Sequence, residues 1–539
     1  MRKLTLTFVF FATIILSKNT FCQTPTIKWW YDTNDDSFGQ SAASDIDGDG
    51  KLEVVFGCYR NDSMVYALNA ENGTLHWKFN TAPTGFEGCN DVAPVIYNID
   101  SDPQVEVVVP SSCNAKTFCF NGSSGATEWV TNTRGSDSPP TIADIDKDGK
   151  LEIIHGEFGG YVICINAEDG TVEWDIPVDT NSWIQTAPTV LDLDNNNTLD
   201  FVVGTWDFDN HDSLIAFRGD NQQRMWSFPL NDHIYHGTAI ADFDNDGKPE
   251  LLFGSYNDTI YCINGEDGTL DWKYGGLGGY AGAPVSLGDI DNDGNCDVVF
   301  VSGYKVTALE GNGTFKWSYD IPNFGGAFRG VVLSDINNDQ YLDVVFGSSN
   351  GKLISLNGNS GSLIWSLDLR AHYGNTQFEL SHAPLIADFD NDDTLDIFIV
   401  GGHAEYPNFN NNFGRAYMIS SGSLANGPDW LMFQRDIWRQ SSHCSPFATN
   451  IDDEKQSKTN TSLIYPNPSN SNITISFNNS KNSSYQILFY NTEGKLAFKK
   501  SNIKTNEVTL NVNSWRKGIY FYKLINKQGV VDSKKIIVN

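Results

Sequence analysis

The chain has 539 residues, of which 40% are hydrophobic, 19% charged and 13% aromatic, with 48 Gly and 14 Trp. This is a core-forming composition of short strands and turns, and it excludes a disordered chain. A formal net charge of −31 also excludes nucleic acid and anionic membrane as partners, because both require a surplus of Lys and Arg.

The charge is uneven along the chain. Residues 1–22 carry +3, residues 463–539 carry +8, and residues 23–462 carry −42. The middle would repel itself unless something cationic offset it. At the start, Arg2-Lys3 precede an apolar run from Leu4 to Leu16 and a polar stretch through Phe21-Cys22-Gln23. Residues 1–22 therefore read as a secretory signal peptide cleaved near Cys22. Lipid attachment at Cys22 would need small residues where Asn19-Thr20-Phe21 stand. The apolar run is too short to span a bilayer, and no membrane span is expected elsewhere. Export permits disulfides among the remaining cysteines. Cys119, Cys164 and Cys262 occupy equivalent repeat positions and read as core. Cys58, Cys89 and Cys113 fall in expected loops and are the better bridge candidates.

From 23 to 446 an acidic loop recurs. Its instances comprise Asp45, Asp47, Asp49 and Glu53; Asn98, Asp100, Asp102 and Glu106; Asp144, Asp146, Asp148 and Glu152; and Asp192, Asp194, Asn196 and Asp200. It continues with Asp242, Asp244, Asp246 and Glu250; Asp289, Asp291, Asp293 and Asp297; Asp335, Asn337, Asp339 and Asp343; and Asp388, Asp390, Asp392 and Asp396. The first residues are 53, 46, 48, 50, 47, 46 and 53 apart. Each repeat has a short apolar strand before the loop, an apolar run after it, a third strand ending in a turn such as Asn72-Gly73, and a fourth strand carrying Trp. A period near fifty built from four strands predicts an all-β propeller of eight blades, with seven as the alternative. The Trp residues are expected between adjacent blades. A spare strand with Trp29-Trp30, or the segment Asp429-Trp430-Leu431-Met432-Phe433, would complete the last blade.

Carboxylates at positions 1, 3, 5 and 9, with Gly at 6 for the turn, can converge on a hard cation, and oxygen ligands suit Ca²⁺. Position 12 lacks the acid of an EF-hand, and strands flank the loop. The pattern resembles the FG-GAP family of calcium-binding propellers, and the strand–turn–Trp part resembles quinoprotein-like repeats. The resemblance implies structural Ca²⁺ held by the acids named above, on the face opposite the usual ligand site. The second loop departs from it, with Asn98 for the first Asp and Pro103 for Gly.

Residues 447–462 read as a polar linker. Residues 463–539, with Tyr465-Pro466-Asn467-Pro468, Gly518-Ile519-Tyr520 and Lys534-Lys535-Ile536-Ile537-Val538, resemble the type IX secretion C-terminal sorting domain of Bacteroidota. That resemblance implies a small β-sandwich, engagement by the type IX machinery, and a secreted or outer-surface location.

No Gly-x-Ser-x-Gly elbow or phosphate-binding loop is present. A quinone-dependent dehydrogenase is disfavoured by the lack of an adjacent cysteine pair, and no glycosidase pair stands out among so many acids. The informative residues lie in loops opposite the acidic turns: Trp183, His233, Tyr235, His236, Tyr280, Arg329 and His382, with Phe86, Phe328 and Phe378. Longer inserts add Tyr59, Trp206, His211, His403, Tyr406 and Phe409. Aromatic platforms with a few polar groups suit sugars. The expected function is a glycan- or protein-binding adhesion module. The alternative is a polysaccharide-degrading enzyme of lyase type, with His236, His233 or Tyr235 as base and Arg329 as charge neutraliser.

Overall fold

A computed structural model describes residues 24–444 apart from 83–87, 101, 103, 210 and 426–427, and most of the strands in 462–538. The signal segment, Phe86, Pro103 and nearly all of the linker lie outside the described residues. The chain forms two compact units, 1–450 and 451–539.

In the first unit, eight sheets each have four antiparallel strands. The first comprises Ala42–Ser44, Glu53–Gly57, Met64–Asn69 and Leu75–Asn80, in that order. Its strands follow the sequence pattern. The two innermost are almost wholly buried, the third is buried except at its ends, and the fourth alternates. Continuous apolar runs thus sit between two covered faces, and alternating ones face solvent on one side. The last sheet pairs Leu385–Ala387, Thr394–His403 and Phe413–Leu424 with the N-terminal strand Thr26–Thr33. Of the two spare segments, the N-terminal one therefore completes this sheet.

The repeat tryptophans join one sheet to the next. Trp77 Nε1 donates to the Gly122 carbonyl at 2.6 Å, Trp129 Nε1 to Ala167 at 2.9 Å and Trp226 Nε1 to Gly265 at 2.7 Å. Each indole also lies on the turn glycine of the following repeat. A Cβ on Gly170, whose φ is +74°, would stand 2.7 Å from Trp129 Cδ2, whereas one on Gly149, φ +90°, meets nothing within 4 Å. Gly170→Ala should therefore cost about 2–4 kcal/mol, combining left-handed strain with overpacking, and Gly149→Ala only about 1 kcal/mol. Urea denaturation of both variants checks this; equal losses would show that the indole contact does not matter.

The second spare segment fills the centre of the ring. The carbonyls of Leu431, Ile437, Gln440 and Ser441 accept from Ala43, Ile142, Ile240 and Leu287, the middle residues of four innermost strands. Trp430 pairs with Ile386 of a fifth. Arg439, 0% exposed, donates to Pro140 O at 2.7 and 2.9 Å, to Phe433 O at 2.8 Å and to Pro94 O at 3.5 Å. A Cys296–Cys444 disulfide ties the end of this plug to the sixth acidic loop. Cys89 pairs with Cys113, while Cys58, expected in a loop and open to bridging, is buried and free. Cys119, Cys164 and Cys262 are free core residues.

The second unit has a three-stranded and a four-stranded antiparallel sheet. Ile473, Ile475, Ile487, Phe489, Tyr522 and Leu524 share its core.

Candidate functional site

The acidic loops join the first and second strands of each sheet, and their carboxylates do converge. Groups such as Asp45, Asp47 and Glu53, or Asp144, Asp146 and Glu152, bring ligand oxygens within 4.8 Å of one another. The first Asp caps the turn: Asp45 accepts from Gly50 N at 3.0 Å, Asp242 from Gly247 N at 3.1 Å and Asp289 from Gly294 N at 3.0 Å. The ninth-position acid is buried, and in the first seven loops it accepts a backbone N–H from position two, as Glu53 does from Ile46 at 3.0 Å. Its other oxygen has no partner in Glu106, Glu152 and Asp396. Burial pushes the carboxyls of Glu53, Glu106, Glu152 and Asp343 up to about 8, and those of Asp200, Glu250, Asp297 and Asp396 up to about 7.

The loops fall into two kinds, a division the sequence reading missed. In the fourth, Arg218 reaches Asp194 at 2.5 Å and Asp200 at 3.5 Å. In the sixth, Lys316 reaches Asp291 at 2.6 Å and Asp297 at 3.1 Å. In the eighth, Lys28 reaches Asp390 at 2.6 Å and Asp396 at 2.8 Å. These three loops carry their own counter-charge. In the seventh, the Asn357 amide donates to Asp339 at 3.0 Å and Asp343 at 3.4 Å. The lysines beside the first, third and fifth loops pair instead with Glu71, Glu168 and Glu266, and among the described residues no Lys or Arg bridges those ligand sets.

On the opposite face, aromatic side chains form an arc across several sheets. A two-stranded ladder sets Trp183 beside Trp206 in register. Trp183 packs on Phe158 at 4.7 Å and on Phe208 at 5.0 Å. Trp206 stacks on His233 at 4.1 Å and meets Tyr256 at 5.1 Å, and Tyr256 stacks on Tyr280 at 4.9 Å. Asp212 holds the His233 ring through Nδ1 at 3.1 Å. Phe208 is 59% exposed and Tyr280 52%. The arc leads to a cavity of about 340 Å³ walled by Phe38, Tyr280, Tyr304 and Phe328, with Glu379 and Ser381 at its edge.

Of the residues expected to meet a ligand, Trp183, His233, Tyr235 and Tyr280 lie on this face with exposed or half-buried side chains. His236, Arg329 and His382 are buried, as is Phe378. Arg329 donates from Nε to Phe38 O at 2.7 Å and from Nη2 to Asp91 O at 3.4 Å, and its Nη1 lies 3.3 Å from His236 Nδ1. Its guanidinium ties loops of four sheets together, so its part is to hold the floor beneath the site. His382 is likewise occupied, with Nε2 2.9 Å from Ser37 Oγ. Burial drives His382 down to about 3, which keeps it neutral.

Phe38, Asp91, Asp137 and Gln185 escaped the sequence reading, as did Phe158, Phe208, Tyr256 and Tyr304. Four positions before the first residue of each innermost strand lies one residue in an equivalent place of every repeat. On one side these are Asp91, Asp137 and Gln185; on the other they are Tyr235, Phe328 and Phe38, with Gly282 and Ser381 between. The signal was the fixed offset from the strand, not the residue type.

Residues 463–539 match the secretion system C-terminal sorting domain, so the chain is directed by the type IX machinery to the cell surface or beyond. Residues 210–416 match the family described as outer membrane protein assembly factor BamB, and the first unit has a propeller-type fold. Cartilage acidic protein 1 of Mus musculus is 21% identical over 403 residues, covering 69% of this chain and 59% of that protein. The lambda-carrageenase of Pseudoalteromonas carrageenovora is 24% identical over 95 residues, 18% of this chain and 10% of the enzyme. The chain thus spans less than two thirds of the length of these relatives. The V. cholerae biofilm matrix protein Bap1 shares the fold with a TM-score of 0.56 and 14% identity, over 76% of this chain and 94% of Bap1. Saccharomyces cerevisiae Sqt1 does so with a TM-score of 0.52 and 12% identity, over 74% and 99%. Among the described residues, no helix is long and apolar enough to cross a membrane.

Proposed function

We propose that the chain is a cell-surface or secreted glycan-binding module built on an eight-bladed, calcium-stabilised propeller of FG-GAP type. The observation that carries the glycan reading is the aromatic arc from Phe158 to Tyr280. Successive rings across neighbouring sheets offer flat apolar surface to the C–H faces of a saccharide chain, and His233 and the tyrosine hydroxyls add polar contacts. A biofilm matrix protein among the fold's neighbours and a carrageenase among the sequence relatives support a setting in extracellular polysaccharide. The lyase alternative is weakened because His236 and Arg329 are buried and Arg329 is held by internal contacts. Eight four-stranded sheets in the first unit support the count of eight blades. The calcium reading is supported by the oxygen-only clusters and their unpartnered buried oxygens.

The full chain in Ca²⁺ should co-sediment with at least one insoluble polysaccharide. Trp206→Ala and Tyr280→Ala should each weaken retention tenfold or more, since an aromatic stacking contact contributes about 1.5 kcal/mol. Melting temperature would be read alongside. Failure to retain any member of a broad polysaccharide panel would overturn the reading.

A further inference from the structure

The outermost strand of every four-stranded sheet carries a β-bulge at the same place. The register slips across the residue just ahead of the strand's tryptophan, which is Glu128, Glu173, Asp271 or Lys316 in four of the sheets and Lys28 in the N-terminal strand. The first, fourth and seventh sheets slip likewise at His76, Met225 and Ile364. A bulge bends its strand and re-aims the extra side chain.

Where the bulge residue is charged, it reaches the acidic loop of its own sheet. Lys316 Nζ lies 2.6 Å from Asp291, 3.1 Å from Asp297 and 3.0 Å from Glu310. Lys28 makes the same kind of contact with Asp390 and Asp396. In the second sheet the bulge residue is an acid, and a ligand oxygen of Glu128 lies within 4.8 Å of those of Asp100 and Glu106.

The two lysines mark where a cation sits. Asp297 accepts from Ile290 N through Oδ2, and its Oδ1 holds Lys316. Glu106 and Glu152 accept the equivalent backbone N–H through Oε2, from Ile99 and Ile145. Their Oε1 atoms have no partner, and both residues are 0% exposed. The oxygen that takes an ammonium in the sixth loop is therefore left bare in the second and third.

We infer that the bulge residue decides which cation its loop holds. Lys28 and Lys316 are resident ammonium ions, whereas Glu128, Glu173 and Asp271 are further Ca²⁺ ligands contributed from outside the loop motif. Glu128 is the decisive case. The second loop begins with Asn98 where the others have Asp. Asn98 Oδ1 is buried without a partner and offers only a neutral oxygen. Glu128 restores the missing charge, so that Asn98, Asp100, Glu106 and Glu128 form an oxygen donor set that suits Ca²⁺. This inference rests on the calcium reading and adds to it a specificity-determining position in the outermost strand.

The test is Ca²⁺ titration of the chelator-treated full chain by calorimetry, with bound metal counted after gel filtration and melting followed with and without chelator. Glu128→Gln should hold one ion fewer per chain than wild type. Glu173→Gln, whose loop keeps its first Asp, should retain its ion but bind it tenfold or more weakly, since affinity follows the charge of the ligand set. In chelator both should melt within a few degrees of wild type, which separates ligation from misfolding. Glu128→Lys should also lose one ion, yet melt above wild type in chelator, because its ammonium takes the metal's place. His76→Ala should leave the count unchanged, as His76 Nε2 is 2.8 Å from Ser123 O in the next repeat. An unchanged count in both Glu128 variants, with wild type still destabilised by chelator, overturns the inference and leaves the calcium reading standing. Loss of an ion in His76→Ala as well would show that the bulge acts through strand packing, and also overturns it. A wild-type chain that binds no Ca²⁺ removes both.

Discussion

Chelation of calcium should lower the melting temperature of the full chain by about 10 °C or more, the largest single effect expected of any treatment. Each site filled at a hundred times its dissociation constant stabilises the fold by about 2.7 kcal/mol, and several sites act together on one cooperative ring. The number of ions should fall short of the eight loops. Lys28, Arg218 and Lys316 already sit among the carboxylates of the eighth, fourth and sixth loops, whereas the first, third and fifth hold converging acids that no Lys or Arg bridges among the described residues. Metal analysis after gel filtration should therefore find three to five Ca²⁺ per chain, counting the second and seventh loops as variable. Lys316→Met should raise that number by one, because it frees Asp291 and Asp297 for a metal. An unchanged melt in chelator would defeat the calcium assignment outright. A count of eight would instead show that the ammonium and guanidinium groups yield their places.

Replacing Arg439 should have the largest effect of any single substitution. Arg439 is enclosed at the centre of the first unit and donates to carbonyls of Pro94, Pro140 and Phe433. Burial depresses it to about 9, so it remains charged at neutral pH and its cost is offset by those charge-assisted bonds and by the nearby carboxylate of Asp436. Arg439→Met leaves three buried acceptors and Asp436 without that donor and charge, a loss of about 3–5 kcal/mol. The plug should then loosen from the innermost strands, and proteolysis should cut between 430 and 443 while the sheets remain intact. Arg439→Lys, which keeps the charge but not the fork of donors, should fall between. Equal stability of wild type and Arg439→Met would mean that the plug is held by its backbone bonds and the Cys296–Cys444 bridge alone.

Much of this molecule was legible in the sequence because its fold is repetitive. The loop spacing, the turn glycines and the fourth-strand tryptophans each recur in register, and local patterns of that kind report on neighbours within one repeat or the next. Hence the four-stranded sheets, the tryptophan seams, the converging carboxylates and the export domain could be anticipated from residues alone. The arc was partly visible as well, since Trp183, His233 and Tyr280 were picked out by residue type and loop position.

Features set by contacts within a repeat or between successive repeats are therefore legible from the residues. The tertiary structure alone decided the rest, because it depends on residues far apart in the chain meeting at a common axis. Nothing local marks Thr26–Thr33 as the partner of Phe413–Leu424, or sends 430–443 into the ring's centre. Nothing local assigns Lys28 to Asp390 and Asp396, more than 360 positions away. Nor does residue type show that Arg329, His236 and Gln185 are buried while Asp91 and Asp137 are half-buried. Closing a ring brings one residue from every repeat to its centre, and which of them pair, which are covered and which remain free is fixed only when the ends have joined.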